Sequence, residues 1–122
     1  LNNKYGKNVY YVLAFKYDES KVGIPRDLFV KALNAEGITF GSGYVAPLYL
    51  SPLYHENKHF ALEHFGKHVN YNKGICPDTE RLHEKEVILT MMTRPPATFE
   101  DIDDILEAMK KIINNKEELL NK

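Results

Sequence analysis

T-F-E-D-I-D-D-I-L-E-A-M-K-K-I-I, residues 98–113, reads as a long amphipathic helix. Ile102, Ile105, Leu106, Met109, Ile112 and Ile113 recur at helical spacing and form one apolar stripe. Glu100, Asp101, Asp103 and Asp104 lie at the front, and Lys110 and Lys111 behind, the order that suits a helix dipole. Thr98 is placed as an N-cap with Asp101 three residues on, a capping box with Asp where Glu or Gln is usual. Such a stripe needs a sheet or a second helix to cover it, and the preceding sequence offers both.

Working back, Val87 to Met92 reads as a strand, and Pro77 with Asp78 and Glu80 as the start of a short helix. N-V-Y-Y-V-L-A-F-K-Y (Asn8–Tyr17) is almost continuously apolar and rich in β-branched and aromatic residues. That composition suits a central strand covered on both faces. Pro25 opens a helix of about ten residues, with Leu28, Phe29, Ala32 and Leu33 on one stripe and Gly37 where a left-handed cap is wanted. A short strand at Ile38–Phe40 runs into Gly41-Ser42-Gly43, a triplet that allows a sharp turn. Pro47 and Pro52 bracket a segment expected to be extended. A short helix is sketched around Asn57 to His64. The sum is an α+β domain: a small, mainly antiparallel or mixed sheet, helices packed on one face, and a long amphipathic helix at the end. Residues 1–122 form a single domain, with 114–122 polar enough to fray.

Composition narrows the function. With 16 basic and 17 acidic residues the formal charge is −1, so neither nucleic acid nor a membrane surface is indicated as a partner. No apolar stretch reaches the roughly 20 residues that span a bilayer. The single cysteine cannot form an internal disulfide, and a cytoplasmic setting is the simplest expectation.

Candidate chemistry is sparse. His55, His59, His64 and His68 fall in two pairs at four-residue spacing, but without a zinc signature they read as solvated histidines, and no metal is expected. Cys76 beside Pro77 reads as a buried, inert thiol. Tyr44, Tyr49 and Tyr54 recur every five residues through a proline-punctuated loop, where phenols can meet a polar ligand. Arg94, before Pro95-Pro96, reads as a solvated arginine. No lysine has the setting of a Schiff-base lysine, so no catalytic residue is assigned.

R-D-L-F-V-K-A-L-N-A-E-G-I (Arg26–Ile38), Tyr44, P-L-Y (Pro47–Tyr49), C-P-D-T-E-R-L (Cys76–Leu82) and D-I-D-D-I-L-E-A-M-K-K-I (Asp101–Ile112) together resemble the C-terminal small domain of the DegT/DnrJ/EryC1/StrS aminotransferases. The resemblance implies a fold-type-I enzyme in which pyridoxal phosphate carries an amino group from glutamate or glutamine to a keto sugar or cyclitol. It places the cofactor and its lysine in a large domain upstream of these residues, so this chain alone is expected to bind no cofactor and to be inactive. It implies a homodimeric parent and makes Tyr44, Tyr49 and Glu80 the substrate-side residues, with Tyr44 foremost. Gly43 and Tyr49 stand where the family often has histidines, which leaves the amino acceptor open. The alternative is a stand-alone α+β module that binds or senses a small molecule; an interaction or dimerisation domain is a third.

Overall fold

The computed structural model describes residues 4, 6, 10–56, 60–65 and 70–121. Three antiparallel strands run in the order β1 (Leu13–Lys16), β3 (Val87–Thr90), β2 (Gly41–Ser42). Leu13 faces Thr90 and Phe15 faces Ile88 across one pair, while Gly41 faces Leu89 across the other. Helices α2 (Arg26–Ala35) and α6 (Phe99–Asn114) pack on the side of Ile88 and Thr90. The fold is α+β, as the sequence pattern indicates.

Side-chain alternation explains why one face is filled. Tyr17, Phe15 and Leu13 point to the same side as Ile88 and Thr90, where Ile24, Phe29, Leu33, Phe40, Ile105 and Ile112 form the core. The Tyr17 and Phe29 rings lie 5.1 Å apart, and the Tyr17 hydroxyl donates to the Ile24 carbonyl at 2.8 Å. Burial, then the nearby Glu19 charge, pushes this phenol up to about 12.

The Asn8–Tyr17 stretch departs from expectation. Only Leu13–Lys16 is strand, it lies at the sheet's edge rather than its centre, and its outward positions Ala14 and Lys16 are exposed. Strand β3 takes the centre because it alone, among the described residues, has partners on both sides. Asn8 and Val9 lie outside the described residues.

The segment expected to pair as Ile38–Phe40 carries no ladder; the strand is the following Gly41–Ser42. The reason is Asn34, whose amide donates to the Phe40 carbonyl at 2.9 Å and accepts from the Phe40 N–H at 3.1 Å. A side chain thus takes the place of a neighbouring strand. Gly37, at φ +86°, ends α2. Its N–H donates to the Asn34 carbonyl and that of Ile38 to the Leu33 carbonyl, a Schellman closure.

The prolines start helices rather than extend the chain. Pro47 precedes a 3₁₀ turn (Leu48–Leu50), and Pro52 opens α3 (Pro52–His55), positions where a missing N–H costs nothing. Two short helices complete this region, α1 (Glu19–Val22) before α2 and α4 (Phe60–Phe65) within the segment sketched as helical; residues 57–59 lie outside the described set. Helix α5 (Pro77–Arg81) continues into a π-helical turn, Leu82–Glu86, before β3.

In α6, Thr98 and Asp101 close both halves of the capping box. The Thr98 hydroxyl accepts from the Asp101 N–H at 3.4 Å, and the Asp101 carboxylate accepts from the Thr98 N–H at 2.6 Å. Bonds from the Thr98 backbone and hydroxyl hold the Asp101 carboxyl below its ordinary range. Leu106 and Ile113 stay 46% and 40% exposed, so the stripe is wider than the core it covers. Within the polar tail, residues Lys116–Leu120 form α7. Leu119 packs against the core cluster and holds it down; Lys122 is outside the described residues. No described helix is long and apolar enough to cross a membrane. Replacing the cap by Thr98→Ala should lower stability by about 1 kcal/mol, read as a lower thermal midpoint; an unchanged midpoint would show the box to be idle.

Candidate functional site

Strand β2 and α5 bring the candidate residues to one end of the sheet. Ser42 leads to Gly43, which has φ +67° and lies so close to the π-turn that a Cβ there would stand 2.7 Å from the His83 carbonyl oxygen. Glycine is therefore required sterically and conformationally. The Gly43 N–H donates to the Val87 carbonyl at 2.8 Å, fixing where the chain leaves the sheet. Tyr44 follows with 56% of its surface exposed, beside Val45 and Leu48 at 72% and 69%. Among the described residues the Tyr44 hydroxyl has no hydrogen-bond partner, which leaves it free to meet a ligand.

Tyr49 and Glu80 come together although 31 residues separate them. The Tyr49 hydroxyl donates to Glu80 Oε1, and the same oxygen accepts the Gly74 N–H at 2.6 Å. Glu80 is 8% exposed. Its carboxyl is held below its ordinary range, first by the Tyr49 hydroxyl and then by the Gly74 N–H. Burial and the bond to Glu80 push the Tyr49 phenol up to about 12. This carboxylate ties the 3₁₀ turn after Tyr44 to the 70–76 segment and to α5. Lys73 pairs with Glu84 alongside it. Tyr54, the third tyrosine of the series, packs on Tyr71 with ring centroids 5.7 Å apart. The three phenols thus part: one exposed, one anchored, one stacked.

Arg26 was not singled out as functional, yet it is 8% exposed and binds three ways. Its Nε donates to Asp27 at 2.9 Å, its NH1 to the His83 carbonyl at 2.8 Å, and its backbone N–H to Glu19 at 3.3 Å. It satisfies a carbonyl of the π-turn and so steadies the wall behind Gly43. The one sequence signal was an arginine at the first position of an otherwise apolar-faced helix.

The remaining candidates scatter. Cys76 is exposed at the N-cap of α5, not buried, because a cap side chain stands clear of the first turn. His55 and His64 are exposed on α3 and α4, and His64 stacks on Phe60 at 4.4 Å; His59 and His68 lie outside the described residues. No three metal-ligating side chains converge among the described residues. Arg94, half-buried, sits over the Tyr11 ring at 4.1 Å and donates from Nε to the Tyr11 carbonyl at 2.6 Å. It is a structural clasp on the strand leading into β1 rather than a solvated side chain. A charged hollow of about 550 Å³ between Lys16, Asp18, Asp27 and Glu86 is largely self-neutralised, with Lys16 3.3 Å from Glu86 and Arg26 2.9 Å from Asp27.

Comparison with known proteins finds distant relatives. The chain is 27% identical over 110 residues to a Micromonospora echinospora protein assigned as an L-glutamine:3-amino-2,3-dideoxy-scyllo-inosose aminotransferase, covering 86% of this chain and 26% of that one. It is 22% identical to the spore coat polysaccharide biosynthesis protein SpsC of Bacillus subtilis, over 88% of this chain and 24% of that one. The chain is a distant relative of the DegT/DnrJ/EryC1/StrS aminotransferases. An uncharacterized protein of Methanocaldococcus jannaschii is 27% identical over 91% of this chain and 25% of its own length. The chain thus spans about a quarter of the length of the curated relatives it matches. No family model matches, and no solved structure matches.

The Tyr49–Glu80 pair sets a pH dependence. Glu80 is depressed in the folded chain, so its contribution is full above the ordinary carboxylate range and is lost as pH falls through its folded value. Tyr49 is raised, so its contribution is full below 10 and is lost between 10 and about 12. In an ultraviolet titration Tyr17 and Tyr49, among the described tyrosines, should ionise late, and Tyr49→Phe should lower the number of late phenols by one. An unchanged number of late phenols in that variant would mean that the Glu80 bond does not form.

Proposed function

We propose that this chain is the small, substrate-cleft domain of a pyridoxal-phosphate-dependent aminotransferase that moves an amino group from glutamate or glutamine to a keto sugar or cyclitol. The observation that carries the reading is the colinear similarity of nearly the whole chain to about a quarter of each aminotransferase-like relative. The exposed phenol at Tyr44, held at the end of a sheet by a glycine nothing else can replace, supports it.

The described residues do not fit the cofactor's own site. A lysine that carries pyridoxal phosphate is activated by removal from water or by a neighbouring cation. Here Lys16, Lys21, Lys73 and Lys111 are exposed and paired with carboxylates. Lys4, Lys31, Lys85 and Lys110 are exposed, and Lys116 is half-buried at the first position of α7. The reading therefore assigns the cofactor to chain beyond this domain, in a cytoplasmic, homodimeric parent, and no catalytic residue to these 122.

In this reading Tyr44 meets the acceptor. Its hydroxyl can donate to a sugar or cyclitol oxygen or accept from a ring hydroxyl. Tyr49 and Glu80 stand on the same side and shape the loop, their polar atoms already bonded to one another. The aromatic body of Tyr44, with Val45 and Leu48 next to it, offers an apolar surface to the carbon face of a ring.

Two measurements on the full-length gene product test the reading. Purified with pyridoxal phosphate, it should show the visible absorption band of the lysine-bound cofactor; its absence would remove the transaminase assignment. Tyr44→Phe should lower kcat/KM for the amino acceptor by about threefold to tenfold, the worth of one neutral hydrogen bond, with the donor half-reaction unchanged. Equal kinetics for every acceptor would show that the phenol touches none of them.

A further inference from the structure

Helix α6 carries more apolar surface than the core takes up. Ile105 and Ile112 are buried against the sheet, and Leu106 and Ile113 each lie one residue further on, about 100° round the helix. These two are 46% and 40% exposed, and Phe99, two turns before Leu106, is 91% exposed. Half-buried Ile102 and Met109 stand between them. Phe99, Ile102, Leu106, Met109 and Ile113 therefore follow one another at steps of three, four, three and four, the repeat that lets one helix seat its side chains between those of another.

The two flanks of α6 differ. On one, Lys111 binds Glu36 of the α2 end at 2.7 Å, and Ala32, Ala35 and Ile112 line a hollow between the helices. The stripe lies on the flank turned away from α2. Charge says what fits there. The front of the helix is acidic, and its basic residues, Lys110 and Lys111, come behind. Asp101 is committed to the cap and Lys111 to Glu36. Asp103 and Lys110 are exposed and join no ion pair among the described residues; both fall along the outer edge of the stripe. The seam thus offers an acid at its front and a base at its rear. An antiparallel helix with the same order answers both, whereas a parallel one would set acid on acid and base on base.

We infer that this flank of α6 is the seam of a two-fold interface with a second copy of this chain, in which the two α6 helices run antiparallel. Leu106 then meets Met109 of the second copy, Ile102 meets its Ile113, and Asp103 pairs with its Lys110, each contact occurring twice. The helix layer continues across the axis in the order α2, α6, α6, α2. The inference stands apart from the aminotransferase reading, since it uses no residue placed at the candidate site.

Zero-length carbodiimide cross-linking, on an equal mixture of isotopically light and heavy full-length gene product, tests this. An amide between Asp103 and Lys110 should appear joining a light chain to a heavy one, because within one helix the two residues lie about 10 Å apart along the axis, too far to join directly. The Glu36 and Lys111 pair, 2.7 Å apart in one chain, should link only light to light and heavy to heavy, and serves as the control. Leu106→Lys puts a charge in the middle of the seam at a position the core leaves half open, and should cut the mixed link by about tenfold or more while the control link is retained. A mixed link that survives Leu106→Lys overturns the inference, as does an unsubstituted mixture in which only the control link forms. Mixed links from Lys110 to carboxylates outside α6 also overturn it, by giving the stripe a different partner surface. The cofactor band is a separate readout: its absence removes the transaminase assignment and leaves the seam standing.

Discussion

Ile88 and Thr90, the two inward positions of β3, are 3% and 2% exposed, and their removal from water constrains every other element. Covering them requires α2 and α6 to lie side by side on one face of the sheet. It also requires the buried Thr90 hydroxyl to be satisfied, since a lone buried hydroxyl is costly. It donates to the Thr39 carbonyl at 2.8 Å and accepts from the Met92 N–H at 3.1 Å. The irregular 38–40 segment is thereby fastened to β3 by one side chain and to α2 by another, that of Asn34. A ladder there is replaced by the bonds of two side chains, and β2 begins only where the chain escapes them.

The end of the sheet that holds Tyr44 depends on a second anchor. Glu80 is buried at the start of a helix, and one of its oxygens serves both a phenol and an amide. Arg26, on a different helix, holds the π-turn that Gly43 presses against. Two charged side chains, each almost wholly buried, thus fix the loop from opposite sides. Their bonds are charge-assisted and stronger than neutral ones. The exposed tyrosine owes its position to residues that never face the solvent it faces.

Elements defined by periodicity were legible in the sequence. The apolar stripe and cap of α6, the Gly37 closure of α2 and the run at Val87 all express local rules that act within a few residues. The π-turn at Leu82–Glu86 was not, because L-H-E-K-E carries an ordinary helical pattern and its widening answers to Arg26 and Gly43 from elsewhere in the chain. The exposed Cys76 and the helix begun at Pro52 were misjudged on local grounds: Cys76 precedes the first turn of α5 and stays clear of it, and Pro52 takes a first helical position instead of extending the chain. Of the candidate site, the sequence supplied Tyr44, Tyr49 and Glu80 as separate names. That Tyr49 and Glu80 bond to each other depends on folding across 31 residues, which no spacing reveals.

Gly43 has a consequence for how this surface can diverge. Any side chain at this position would collide with the His83 backbone oxygen, and the His83 ring lies just beyond it. The two positions form an epistatic pair. A side chain before Tyr44 is compatible with this fold only if the turn at residue 83 relaxes as well, so a change at one position is tied to a change at the other.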